Sequence, residues 1–125
     1  MEMKAGTWKK KIIAACQGIG VYEEAYDDVI GTLAEILEKR DECDEMYKSS
    51  GSQPVVEHEN KGGGVYLERN PILRTWMDLN AQALAYWRDL GLTPAGFKRL
   101  SDQKINNSPK KSGLELALEK LSGTN

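Results

Sequence analysis

The stretch from Asn70 to Gly91 constrains the fold of this chain more than any other. Asn70 is a helix N-cap type, Pro71 suits the first helical position because its missing N–H has no intrahelical partner there, and Gly91 suits a left-handed C-cap. Between these borders Ile72, Trp76, Leu79, Ala83, Tyr86 and Leu90 step by four and three. Leu73, Met77, Asn80, Leu84 and Trp87 form a parallel stripe one position on. The helix is therefore apolar over more than one stripe. One antiparallel partner covers only part of that width, and the remainder calls for other segments or another subunit.

The partner helix is predicted over residues 22–47. Tyr22, Tyr26, Val29, Leu33, Ile36, Arg40, Cys43 and Tyr47 follow heptad spacing, which reads as a helix of about 26 residues, roughly 39 Å long. Glu23, Glu24, Asp27, Asp28, Glu35, Glu38, Asp41, Glu42, Asp44 and Glu45 form its expected solvated face. Arg40 is the one charge on the seam, and the register of an antiparallel hairpin makes Asp78 its nearest acid, unless it pairs across a subunit contact.

Shorter elements flank this hairpin. Thr7 can cap a helix through Gln17, with Trp8, Ile12, Ala15 and Cys16 inward and Lys9, Lys10 and Lys11 mostly outward. Thr93 and Pro94 start a short basic helix through Gln103. Residues 106–111 read as a linker, and Ser112 with Glu115 is a capping box opening a final amphipathic helix with Leu114, Ala117, Leu118 and Leu121 on one face. The organisation is thus a helical core and oligomerisation domain over 1–105, followed by linker and amphipathic helix over 106–125. Residues 49–69 are long for a helix connection, and the β-branched pieces near Val55 and Val65 flank glycines that allow a small β-hairpin.

The chain of 125 residues suits one domain, all-α with at most that hairpin. No apolar run reaches the ~18–20 residues of a bilayer span, and the first 20 residues lack the pattern of a secretory signal, so a soluble intracellular protein is expected. Cys16 and Cys43 form no C-x-x-C pair, and His58 is the single histidine. There is no P-loop and no G-x-S-x-G elbow, and Lys61 with the glycines at 62–64 lacks the context of a phosphate cradle. No metal or cofactor is implied. Adjacent carboxylates such as Asp27 and Asp28 splay apart on a helix, which argues against an acid–base pair.

Charge is segregated. Residues 1–21 carry four lysines and one glutamate, net +3; residues 22–50 carry ten acids and three bases, net −7; residues 93–125 carry six bases and three acids, net +3. The basic groups Lys9, Lys10 and Lys11, and Lys98, Arg99 and Lys104, are the candidate contacts to a polyanion, and an antiparallel hairpin is expected to bring them to one end. Trp76, Tyr86, Trp87 and Arg40 are the candidate oligomer contacts.

Asn70-Pro71 opening a long helix, followed over residues 86–100 by Tyr-Trp-Arg-Asp-Leu-Gly-Leu-Thr-Pro-Ala-Gly-Phe-Lys-Arg-Leu, resembles the bacteriophage terminase small subunit, in the branch with the N-P start and the L-G-L-T-P ending. The resemblance covers roughly residues 8–103. It implies a non-enzymatic component of a viral genome packaging motor in the host bacterial cytoplasm. Its partners would be double-stranded viral DNA at the packaging initiation site, a large subunit holding ATPase and nuclease, and further copies of itself in a ring. In this pattern Phe97 stands where relatives often carry a basic residue. Two alternatives come from other classes: a dimeric helical DNA-binding regulator, and an enzyme using His58 with neighbouring acids.

Overall fold

The computed structural model describes residues 3–107, and the final amphipathic helix expected after Ser112 lies outside them. In chain order the elements are α1 (Ala5–Gly18), a single 3-10 turn (Glu24–Tyr26), α2 (Asp27–Ser49), β1 (Val55–Glu59), β2 (Val65–Arg69), α3 (Pro71–Asp89) and α4 (Pro94–Asn107). The helix α2 is central. It packs antiparallel against α3 on one side and α1 on the other, while α4 folds across the end of α3.

The core follows from that placement. Ile30, Leu33, Ala34 and Leu37 of α2 are buried together with Ile12 and Cys16 of α1, Ala83 of α3, and Leu90. Because α2 is gripped from two sides, its buried arc is centred between the stripes facing α1 and α3. Ile30 and Leu37, absent from the expected seam, are fully buried, whereas Val29, expected on it, is 40% exposed. The same geometry turns Glu38 and Asp41 away from the expected solvated face. Glu38 Oε2 accepts the Ala5 N–H at 2.6 Å, and Asp41 Oδ2 accepts the Trp8 indole N–H at 2.8 Å.

Those bonds relocate the start of α1. Thr7 lies inside the first turn, and the helix starts at Ala5, whose free N–H is satisfied by a carboxylate from α2 rather than by a local cap. Ile13 packs against the core, whereas Ala15, expected inward, is exposed. The start of α2 also shifts. Tyr22 and Glu23 precede the helix, with Glu23 extended, because the chain must reverse after α1. Asp27 and Asp28 then occupy the first turn of α2, where the helix dipole favours acids.

Three helices end in the same way. Val21, Ser52 and Leu92 donate to the carbonyls of Cys16, Tyr47 and Trp87, closing Schellman turns in which Gly20, Gly51 and Gly91 take positive φ. Asn70 caps α3 as its residue type implies: its Oδ1 accepts the Ile72 N–H at 3.0 Å. Its Nδ2 also donates to the Gln53 carbonyl at 2.8 Å, and its N–H donates to the Pro54 carbonyl, so one buried side chain ties α3 to the segment entering β1.

The β-hairpin at the tip is antiparallel, with Val55 opposite Arg69, Glu57 opposite Leu67, and Glu59 opposite Val65. Asn60 organises its turn, its Oδ1 accepting the N–H groups of Gly62 and Gly64. The ribbon is mostly exposed on both faces. Finally, α4 continues to Asn107, beyond the end expected at Gln103 and into the stretch read as a linker.

Candidate nucleic-acid interface

The segment after α3 explains the Leu-Gly-Leu-Thr-Pro-Ala-Gly run as packing geometry. Gly91 reverses the chain with φ +80°, Thr93 Oγ1 accepts the Gly96 N–H at 3.0 Å, and Pro94 opens α4. Gly96 then lies against the backbone of Arg88: a Cβ at position 96 would sit 2.1 Å from the Arg88 carbonyl oxygen. That close crossing places Lys98, Arg99 and Lys104 on the exposed side of α4, with Phe97 and Ile105, 45% and 59% exposed, beside them. Arg99 Nη2 bonds Asp89 Oδ1 at 3.4 Å, which partly neutralises it, whereas Lys98 has no ion pair among the described residues.

A groove of about 460 Å³ separates α4 from the connection between α1 and α2. Ile19, Val21, Tyr26, Phe97 and Leu100 supply its apolar lining, and Glu23, Ser101, Gln103 and Lys104 its polar lining. The cations of α4 therefore stand at the base of the long hairpin, opposite the β-ribbon.

The other basic group does not join them there. Lys11 Nζ stands 5.3 Å from the centre of the Trp8 ring, and the Arg40 guanidinium 5.6 Å from the same ring. Lys9, Lys10 and Lys11 are thus level with the middle of α2. Eight residues of helix, about 12 Å, separate Lys11 from Ile19 beside the α4 groove. The expected single basic end is replaced by two groups at different heights, because α1 runs antiparallel to α2 and its first turn docks at Glu38 and Asp41.

Arg40 lies in a network within the chain. Its Nη1 donates to Asn80 Oδ1 at 3.2 Å and its Nη2 to Asp41 Oδ1 at 3.3 Å, in place of the Asp78 suggested by register, which is exposed. Asn80 wins because its short amide points from α3 into the seam. Among the remaining interface candidates, Tyr86 and Trp87 pack against the chain's own core, and Trp76 is half-buried beside Asp44, Tyr47 and Leu73. The large apolar residues of α3 left exposed are Met77 and Leu84, both on the second stripe read from the sequence; Arg74 and Arg88, exposed on the same side, were missed because an apolar reading passes over charged positions.

Among the described residues the cysteines and the histidine lie apart from one another. Burial pushes the Cys16 thiol up from its usual range, and burial followed by the nearby Glu42 carboxylate does the same to Cys43, which makes both poor thiolates. His58 stands on the exposed ribbon, its Nδ1 3.6 Å from Glu68 Oε2 and its ring 5.1 Å from that of Tyr66. Among the described residues no three His, Cys, Asp or Glu side chains converge on a metal position, and no helix is long and apolar enough to cross a membrane.

Fold and surface define a small helical protein with dispersed surface cations and an exposed two-stranded ribbon. The family model described as phage terminase, small subunit matches residues 6–107, which takes in every element described above except Ala5, the first residue of α1. The chain belongs to the phage terminase small subunit family, whose role lies in phage DNA packaging. No curated protein and no solved structure gives a significant match.

Proposed function

We propose that this chain is the DNA-recognising component of a phage packaging motor, acting in the host cytoplasm. It binds double-stranded viral DNA at the packaging initiation site, assembles with copies of itself into a ring, and recruits or regulates the large subunit that carries ATPase and nuclease. The observation that carries this reading is the family match over residues 6–107. Terminase small subunits are in general non-catalytic, and this protein is read as acting by binding and assembly.

The surface cations, exposed except for the partly covered Lys9, support the DNA-binding part. Lys9, Lys10 and Lys11 form one group at mid-height, and Lys98, Arg99 and Lys104 a second at the hairpin base. Each group alone neutralises few phosphates, so affinity per subunit is low. Repetition around a ring multiplies both groups into two basic bands and raises avidity well above the affinity of one site.

The test is duplex binding by fluorescence anisotropy across a salt series, with light scattering of the same samples. The wild-type protein is expected to be oligomeric and to lose affinity steeply as salt rises. The double variant Lys10→Glu, Arg99→Glu should keep the oligomer and bind any duplex at least about tenfold more weakly. Salt-insensitive binding, or full binding by the double variant, would place the DNA contacts elsewhere. A strictly monomeric protein at high micromolar concentration would remove the ring.

A further inference from the structure

The outward side of α3 carries a stripe that the chain itself leaves uncovered. Arg74, Met77, Ala81, Leu84 and Arg88 are all exposed, Met77 at 46% and Leu84 at 55%, and steps of three and four hold them within an arc of about 80°. Neither arginine has an ion pair among the described residues. A second stripe runs along α2, away from both α1 and α3. There Asp28, Glu35 and Glu42 recur every seven residues, with Thr32 and Lys39 between them; Glu42 is partly covered and the others are exposed. The arginines are 14 residues apart, about 21 Å of helix, and so are Asp28 and Glu42.

We propose that these stripes are the two halves of a head-to-tail contact between copies of this chain, with α3 of one copy seated on α2 of the next. The inference rests on the homo-oligomeric reading above and names the surface that would build it. Like-with-like contacts are disfavoured by charge. A two-fold contact of α3 with α3 sets Arg74 against Arg88, and one of α2 with α2 sets acid against acid. A polyanion is a poorer occupant of α3, because Met77, Ala81 and Leu84 separate the two arginines and Asp78 lies beside them.

The register follows from symmetry. Rotation that closes a ring has no translation along its axis, so for helices standing along that axis each residue keeps its height in every copy. Within the chain Arg40 meets Asn80, and Cys43 and Met46 lie beside Ile72 and Thr75. Arg74 therefore shares its height with about residue 45 of α2, and Arg88 with about residue 31. Glu42 and Asp28 of the neighbouring copy then lie within about one helical turn, 5.4 Å, of Arg74 and Arg88, a distance an arginine side chain spans. Leu84 and Ala81 fall level with Glu35 and Lys39 of the outward stripe, whose aliphatic carbons suit them.

The test uses the full chain and charge reversal at exposed positions, read by native mass spectrometry and light scattering, with circular dichroism and thermal melting on every variant. Arg74→Glu, Arg88→Glu and, separately, Asp28→Lys, Glu42→Lys are each expected to raise the concentration needed for assembly by more than about tenfold. The variant carrying all four changes, with the attraction reversed but restored, is expected to assemble again. Asp28→Lys, Glu35→Lys serves if replacement of the partly covered Glu42 lowers the melting temperature. Unchanged oligomer mass in both double variants overturns the surface while leaving the oligomer intact. So does unchanged mass with weaker duplex binding, which would make α3 a nucleic-acid face, or with a lower melting temperature, which would mean the chain covers α3 itself. A monomeric wild-type protein overturns the oligomeric reading instead.

Discussion

Gly96 lies so close to Arg88 that a Cβ on it would come within 2.1 Å of the Arg88 carbonyl oxygen and 2.9 Å of its carbonyl carbon. Those atoms are backbone at the end of α3, and the same carbonyl accepts the Gly91 N–H at 3.0 Å. Neither party can rotate away, so the angle at which α4 leaves α3, and with it the placement of Lys98, Arg99 and Lys104, depends on the missing side chain.

Gly96→Ala is therefore expected to cost about 2 kcal/mol and to lower the melting temperature by several degrees. α4 has to move off α3 to admit the methyl group. Hydrogen exchange should show the loss of protection concentrated in residues 94–105, with the α1–α2–α3 core retained. Uniform protection across α4 would show that the crossing is looser than described.

Arg40 joins three helices: it bonds Asn80 of α3 and Asp41 of its own helix, and lies over Trp8 of α1. The pair with Asp41 is about one-fifth exposed on each side, so it is screened only in part. Arg40→Met keeps much of the side-chain volume but leaves Asn80 without its donor, and about 1–2 kcal/mol of stability should be lost. Chemical denaturation measures it. Unchanged stability would mean that Arg40 only extends toward water.

Asn70 holds two tasks that substitution can separate. Asn70→Ala removes both the cap on Ile72 and the bond to Gln53, for a loss of about 1–2 kcal/mol. Asn70→Asp keeps an acceptor for the Ile72 N–H, and its charge suits the N-terminus of α3, but it has no donor for the Gln53 carbonyl. The Asp variant should retain the helix and lose protection around residues 52–56 in hydrogen exchange. Equal behaviour of the two variants would assign the whole effect to one bond.

Tyr22 donates its hydroxyl to Asp27 Oδ1 at 2.7 Å at the entry to α2. The hydrogen bond to Asp27 holds the phenol above its usual value, with desolvation and the Asp27 and Glu24 charges acting in the same direction. A phenol whose folded-state value is raised contributes stability that is fully present below its unfolded value, near 10, and lost as pH rises through the folded value. The melting temperature of the wild-type protein should fall more steeply above about pH 10 than that of Tyr22→Phe. Parallel curves would show that the bond does not persist in solution.

By itself the sequence determined the helical framework. Asn70, Pro71 and Gly91 mark the borders of α3 because capping chemistry is local, and the same is true of Thr93 with Pro94 and of the paired β-branched pieces around the glycines of the ribbon. The family pattern was legible for the same reason, since its residues are turn and cap residues tied to their own neighbours. What tertiary structure alone decided is how α2 is shared. A helix gripped by two partners buries an arc that heptad spacing on one seam does not describe, so Ile30 and Leu37 went inside and Glu38 and Asp41 turned to α1. The direction of α1 was also decided by packing, which set its lysines at mid-height instead of at the base. Gly96 belongs with these: its need for a bare Cα comes from the Arg88 backbone crossing above it, and a contact eight residues away in the chain across a turn leaves no local trace.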